Sequence, residues 1–277
     1  MDRREKYARF QRLHAREDAF VIPNPWDAGS ARLLTSLGFE ALATSSAGYA
    51  FAKGKRDSSA TLSREELLAN AAEIVASTHL PVSADLEAGF GMAPETCAET
   101  LRLACDVGLV GGSIEDASGD PTRPLYDFSL AVERIQAAAE AVRNRSFLLT
   151  ARAENYLCGR PDLDDTIRRL QAFSAAGADV LYAPGLPDLE SIRMVCAAVD
   201  KPVNVVMGLA GPTFSVAELT AVGVRRISVG GSFARAAFGA LLRAAQEVRT
   251  QGTFSYAKEA IPGVTLAALL APEGSQD

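Results

Sequence analysis

From residue 20 onward the sequence alternates between two periods. Short runs of apolar and β-branched residues lie at 20–23, 41–44, 82–85, 112–115, 147–150, 180–183, 203–206 and 226–229, eight in all. Between them, apolar residues recur at helical spacing over 27–37, 64–77, 94–107, 129–142, 163–176, 189–198, 216–221 and 233–251. Several helical stretches close on a glycine that leads into the next apolar run, in SLGFEAL, DVGLVGG, AAGADVL and AVGVRRI. Glycine suits the left-handed residue that ends a helix. Eight strand–helix units with no break in composition predict an α/β fold, a (β/α)8 TIM-type barrel, over a doubly wound open sheet. The 277 residues are then one barrel domain, with 252–277 as a C-terminal extension. Within that extension the apolar VTLAALLA is a docking or subunit-contact segment.

Composition removes several classes. At 48% hydrophobic and 22% charged, with 22 Gly and 13 Pro, the chain can bury a large core and is neither disordered nor collagenous. A net charge of −6 provides no overall positive field for nucleic acid or an anionic membrane, so anionic substrates need local cations. Cys97, Cys105, Cys158 and Cys196 lack CxxC spacing and read as reduced thiols. The N-terminal MDRREKYARFQRLHARED has no apolar signal-peptide core, and no run of 18 apolar residues occurs, so a cytoplasmic protein is expected.

In a barrel of this kind chemistry collects at the C-terminal ends of the strands. Polar residues stand where the apolar runs stop: Asn24 and Asp27, Ser45 and Ser46, Asp85 and Glu87, Glu115 and Asp116, Arg152 and Glu154. The opposite ends carry boundary residues such as Pro81 and Pro202. Asp85 and Glu87 are two apart and share a face if the strand continues through Leu86. Carboxylates converging on one mouth repel unless a cation sits among them, and a hard dication such as Mg2+, held through few carboxylates and several waters, is one solution. Helix capping is the alternative, but it accounts for one acid per loop rather than two. Arg152 ends a wholly apolar run, and its planar fork suits either a substrate carboxylate or an ion pair with Glu154 or Glu115.

ATSSAGYAFAKGKRDSSAT is the longest strand-to-helix connection. There Ser45, Ser46 and Ala47 can offer backbone N–H groups to a carboxylate, and Lys53, Lys55 and Arg56 form a basic cluster before Asp57. ASGDPTRPLYDF, residues 117–128, has the proline and glycine content of either an adjustable lid or a plain spacer. His14 and His79 lie away from the expected mouth, which argues against a His-ligated zinc or a histidine base. None of the five lysines ends a strand, which argues against a Schiff base. Cys158 sits in a loop with nothing to mark an activated thiol, and no Walker-type loop is present.

The segments PNPWDAGSARL, ATSSAG, KGKRD, ADLEAGFG, SIED, ARAEN, PVNVV and GVRRISVG, in that order from about residue 20 to residue 240, together resemble the isocitrate lyase/phosphoenolpyruvate mutase superfamily. The resemblance implies a modified (β/α)8 barrel, forming dimers or tetramers that exchange a C-terminal helix. It also implies Mg2+, or Mn2+ in its place, and small 2-oxo acids handled through an enolate-like intermediate. Position by position it implies Asp85, Glu87 and Glu115 as the acidic metal shell, with Asp57 reaching it through water. It puts Ser45, Ser46 and Ala47 on the substrate carboxylate beside Asp85, Arg152 on the other oxygens, and Asn204 facing the substrate. Asp57, Arg152 and Glu115 are then the catalytic set, with Asp57 or a metal-bound water as base. The lyase branch carries a KKCGH-like segment after the SIED strand, whereas ASGDPTRPLYDF has no cysteine, lysine or histidine. The lysine, asparagine and serine of the mutase lid are absent as a set as well. The expectation is a Mg2+-dependent lyase cleaving a C–C bond of a small 2-oxo or 2-hydroxy (di)carboxylic acid. An oxaloacetate decarboxylase or hydrolase and a phosphonopyruvate-type C–P enzyme are the neighbouring readings. A non-catalytic 2-oxo-acid-binding protein is the reading of another class.

Overall fold

The structure is a computed structural model describing residues 1–57 and 61–271. Strands β1 (Phe20–Ile22), β2 (Leu42–Ala43), β3 (Val82–Asp85), β4 (Gly111–Glu115), β5 (Leu148–Arg152), β6 (Val180–Tyr182), β7 (Val203–Val206) and β8 (Arg226–Ser228) form one parallel sheet in the order β1-β8-β7-β6-β5-β4-β3-β2. Between β1 and β2 the backbone bond from Ala43 N–H to the Pro23 carbonyl, 3.0 Å, brings the sheet round on itself. The eight-stranded barrel expected from the alternating periods is therefore present.

Helices α1 (Arg3–His14), α2 (Ala28–Ser36), α3 (Ser46–Ala52), α4 (Arg64–Ala76), α5 (Pro94–Asp106), α6 (Phe128–Val142), α7 (Leu163–Ala175), α8 (Leu189–Ala198), α9 (Val216–Ala221), α10 (Ser232–Gln251) and α11 (Gly263–Leu270) surround it. Local chemistry fixes their ends. Asp27 and Ser30 close a capping box on α2, Ser63 and Glu66 close one on α4, and Pro94 occupies the first turn of α5. After α7 the chain turns at Gly177, with φ 109°, where an added Cβ would lie 2.9 Å from that of Ala139.

Two helices were not anticipated. The charged N-terminus folds as α1 and covers the N-terminal end of the barrel, where Phe10, Leu13, Phe20, Ile22, Val110 and Leu148 form their own buried cluster. The long connection after β2 is not all loop, because α3 occupies its first part; residues 58–60 of that connection lie outside the described residues. The main core fills the layer between strands and helices and extends from Leu42 through Leu101, Leu149 and Phe173 to Ile227. Residues 272–277 of the C-terminal extension also lie outside the described residues, and α11 rests against α2 through a 2.8 Å bond from Arg32 to the Leu270 carbonyl.

Strand stagger sets the depth of each inward side chain. In register, Glu115 pairs with Arg152, Arg152 with Tyr182, Tyr182 with Asn204, Asn204 with Arg226 and Arg226 with Phe20. That row begins at the C-terminal end of β4 and finishes at the N-terminal ends of β8 and β1, as tilted barrel strands require. Residues along it descend from the mouth toward the floor.

Candidate active site

At the C-terminal end of the strands is a cavity of about 400 Å³ lined by Ser45, Ser46, Ala47, Asp57, Asp85, Glu87, Glu115, Arg152 and Glu154, with Phe51, Leu157, Val206 and Leu209 as apolar wall. The expected site residues converge here, apart from Asn204. Arg152 is the hub. Its Nε donates to Glu154 at 2.7 Å, and its two Nη atoms lie 3.2 Å from Asp85 and 3.3 Å from Glu115. Of the two readings for this arginine the ion pairing is present, and the paired guanidinium also lines the mouth. Its guanidinium also sits 4.9 Å from the centre of the Tyr182 ring.

Asp85 and Glu87 do not share a face through strand alternation. The strand stops at Asp85, Leu86 is buried, and Glu87 takes a left-handed backbone with φ 48°. That turn brings Glu87 back over the mouth, its N–H donating to Asp85 Oδ1 at 3.3 Å and its carbonyl accepting from Glu115 N–H at 3.1 Å. Arg134, which the sequence reading passed over, holds this loop from behind. Its buried guanidinium donates to the carbonyls of Ala88, Gly91 and Met92 and lies 4.2 Å from the Tyr126 ring centre. Across the mouth Ser46 Oγ donates to Asp85 Oδ2 at 2.7 Å, while Ser45 caps α3 by accepting from Gly48 N–H.

The crowding has electrostatic consequences. Burial, then the charges of Asp85 and Asp57, push Glu87 up to about 7. Burial also drives Glu115 well above the usual carboxylate range against the opposing pull of Arg152. Asp57 is raised by desolvation and by Asp85 although its own surface is exposed at the rim. Asp116 leaves the cluster: it turns away from the mouth to bind Arg169 at 3.1 Å and Glu154 N–H at 2.8 Å. From there it anchors the 117–128 segment, which folds back on itself through Ser118 N–H to the Pro124 carbonyl and Tyr126 N–H to the Asp116 carbonyl, both 2.9 Å.

Asn204 sits one layer lower. It is 1% exposed, with its Oδ1 accepting from Arg226 Nε at 2.8 Å and its Nδ2 donating to Ser228 at 3.1 Å. It lines a small cavity of about 60 Å³ beneath the mouth that also touches Asp85 and Arg152. Arg226, also missed from sequence, is a buried guanidinium bonded to Asn204, Thr150 and His14. A broader groove of about 1130 Å³ opens beside the mouth toward Phe90, Met92 and Pro121 and shares Glu87 and Glu115 with it. Cys158 lines that groove, but burial pushes its thiol up to about 11, the opposite of an activated nucleophile. The basic cluster ahead of Asp57 is used locally, Lys55 pairing with Glu66 at 2.9 Å and Lys53 lying over Tyr49.

Among the described residues no three acidic, histidine or cysteine side chains close on one point as a ready cage for an ion. The donor set nonetheless fits a hard dication. All candidates are carboxylate oxygens, they crowd one another, and Mg2+ needs only one or two of them with water completing its shell.

A parallel barrel with a carboxylate–arginine mouth fed by the loops after β2 to β5 defines a class of enzymes that act on small anionic substrates. The chain belongs to the phosphoenolpyruvate phosphomutase family, whose model matches residues 10–249, within the isocitrate lyase/phosphoenolpyruvate mutase superfamily. A crystal structure from Burkholderia cenocepacia J2315, provisionally designated a lyase/mutase, is 56% identical with a TM-score of 0.95, covering 98% of this chain and 97% of that one. The 2,3-dimethylmalate lyase structure is 28% identical with a TM-score of 0.85 over 96% of this chain and 95% of its own. The 2-methylisocitrate lyase of Shewanella oneidensis (strain MR-1) is 28% identical over 252 residues, 88% of this chain and 85% of that protein. Among the described residues no helix is long and apolar enough to cross a membrane.

Proposed function

We propose that the chain is a divalent-cation-dependent lyase that breaks a C–C bond in a small 2-oxo or 2-hydroxy (di)carboxylic acid. From a 2-hydroxy acid, loss of the hydroxyl proton makes that carbon the carbonyl of the released 2-oxo acid, while the bond's electron pair leaves on the other fragment as a carboxylate-stabilised enolate that is then protonated. From a 2-oxo diacid that loses its distal carboxyl, the 2-oxo fragment itself is the enolate. The single observation that carries this reading is the hub of Arg152 bound to Asp85, Glu115 and Glu154 at the mouth, with Ser46 bonded to the same Asp85. The relatives that cleave branched hydroxy acids support the reaction class.

Asp85, Glu87 and Glu115 are the residues that would hold Mg2+ or Mn2+, with Asp57 reaching it through water. When bound, the ion supplies Lewis-acid stabilisation of the charge that develops on the 2-oxo oxygen. The chain does the rest. Ser45, Ser46 and Ala47 present backbone N–H groups to the substrate carboxylate and fix its plane. Arg152, pinned by three carboxylates, offers a pre-oriented positive group beside the carbonyl oxygen. Asp57, exposed at the rim and raised in pKa, is placed to take a hydroxyl proton as cleavage begins. Phe51, Leu157, Val206 and Leu209 keep bulk water from the reacting carbons. The exposed Leu241 and Leu242 on α10 and Val264 on α11 suit subunit contacts, so we also propose a homo-oligomer assembled through this C-terminal region.

Oxalate tests the binding half, because its planar pair of carboxylates mimics an enolised 2-oxo acid. Calorimetric titration should show Mg2+-dependent oxalate binding that Asp85→Ala abolishes. Binding that ignores Mg2+ or survives this substitution would overturn the reading.

A further inference from the structure

Carboxylates dominate the mouth: Asp57, Asp85, Glu87, Glu115 and Glu154 face two bases, Arg152 and Arg235, among the described residues that line it. Arg152 is committed, with each of its nitrogens against a carboxylate. Arg235 has neither an ion pair nor a side-chain hydrogen bond among the described residues. A second anionic group entering this acidic cavity therefore meets one uncommitted cation.

The backbone explains why that cation is there. Arg235 follows the buried Ala234 in the first turn of α10, which starts directly after the Gly230–Gly231 turn that ends β8. This turn packs tightly on α3. A Cβ added to Gly48 would stand 3.3 Å from Ala234 Cβ, and one on Gly231 would stand 3.3 Å from Ala47 Cβ. Side chains at either glycine would push α10 outward and lift Arg235 from the rim. The glycines thus hold an unpaired guanidinium beside the Ser45–Ala47 segment, with the apolar Phe51 and Leu209 lining the same cavity.

We infer that Arg235 is the residue that selects a second carboxylate on the substrate, making the preferred substrates dicarboxylates rather than monocarboxylates. This rests on the 2-oxo-acid reading above and deepens it: the proximal carboxylate and carbonyl occupy the Ser45–Ala47 and Arg152 end, and the distal carboxylate meets Arg235 across the apolar wall. A charge-assisted contact of this kind contributes about 10-fold to 100-fold in affinity.

Matched ligand pairs test it: 2-hydroxybutyrate against malate, and 2-oxovalerate against 2-oxoglutarate, each titrated calorimetrically with Mg2+ into full-length wild type, Arg235→Gln and Arg235→Lys. Thermal melts confirm that the variants are folded. The expected result is that Arg235→Gln weakens the diacid of at least one pair 10-fold or more and its monoacid less than 3-fold, while Arg235→Lys keeps most of the diacid preference. Equal weakening within both pairs, no weakening of either diacid, or a wild type that does not prefer diacids overturns the assignment to Arg235 and leaves the 2-oxo-acid reading standing. A wild type that binds none of the four overturns both.

Discussion

Replacing Arg152 by methionine is the sharpest perturbation the structure offers. The substitution keeps much of the apolar stem and removes the guanidinium from three carboxylates at 2.7, 3.2 and 3.3 Å, whose side chains are 5%, 22% and 19% exposed. Exchanging every member of a buried ion cluster for apolar groups can be harmless, but removing one partner strands the others, typically at a cost of about 3–5 kcal/mol. Here one base serves three acids, so the upper half of that range is expected. With unfolding entropy of about 2.1 cal/mol/K per residue, a chain of this length loses about 1 °C in Tm for each ~0.6 kcal/mol, so the midpoint should fall by about 7–9 °C. Arg152→Lys keeps the charge but not the fork and should fall by less than half as much. The assay is thermal unfolding by circular dichroism at pH 8 in chelator, at one scan rate for all three proteins. A drop under ~2 °C for Arg152→Met, or a rise, would refute the idea that the acids depend on this base.

Other outcomes follow from particular contacts. Asp85→Asn should lower kcat by at least ~100-fold on any substrate found, with melting little changed, because Arg152 retains Glu115 and Glu154. His14 is pushed down to about 3, first by burial and then by the Arg226 charge, so between pH 6.5 and 3 the unfolded chain takes the proton that the folded chain refuses. Its contribution is complete above pH 6.5 and drains away at about 1.4 kcal/mol per pH unit below it, so urea titrations from pH 7 to pH 5 should show wild type losing ~2 kcal/mol more than His14→Gln. Gly112→Ala places a Cβ 2.7 Å from Leu86 Cδ1 and 2.9 Å from Phe147 Cζ, and should cost about 1–3 kcal/mol in chemical denaturation. Glutamates at Leu241 and Leu242, 62% and 68% exposed, should reduce the mass of the assembly measured by light scattering; an unchanged mass argues against contacts through α10.

The barrel was legible because parallel strands covered on both faces read as short continuous apolar runs, and glycines mark where helices give way to them. What the sequence hid was hidden for physical reasons. In α1 the buried Phe10 and Leu13 are diluted by arginines, and two of its inward residues, Lys6 and His14, are of types that read as surface. The α3 helix begins with serines and a glycine, which resemble a loop until Ser45 is seen capping them. Asp116 could have been placed correctly, since neighbours in an extended segment face opposite ways once Glu115 faces inward. Asn204 was foreseen as polar and inward, but its depth depends on strand stagger, a property of the closed barrel. Arg226 and Arg134 carried weak signals. The first opens β8 directly after the half-buried Arg225, and the second lies on the same helical stripe as the buried Ala131, Ile135 and Ala138. Arg235 carried none, because its importance comes from α10 packing against α3.

The most direct test of the account is turnover. Wild type and Asp85→Ala, each with Mg2+ and a mixture of 2-oxo and 2-hydroxy mono- and dicarboxylic acids, are followed by mass spectrometry. The account predicts that wild type consumes at least one acid and releases a smaller 2-oxo acid such as pyruvate or glyoxylate, and that Asp85→Ala leaves the mixture intact. Ligand retained by wild type with no fragment formed would contradict a lyase and identify the barrel as a binding protein for these acids.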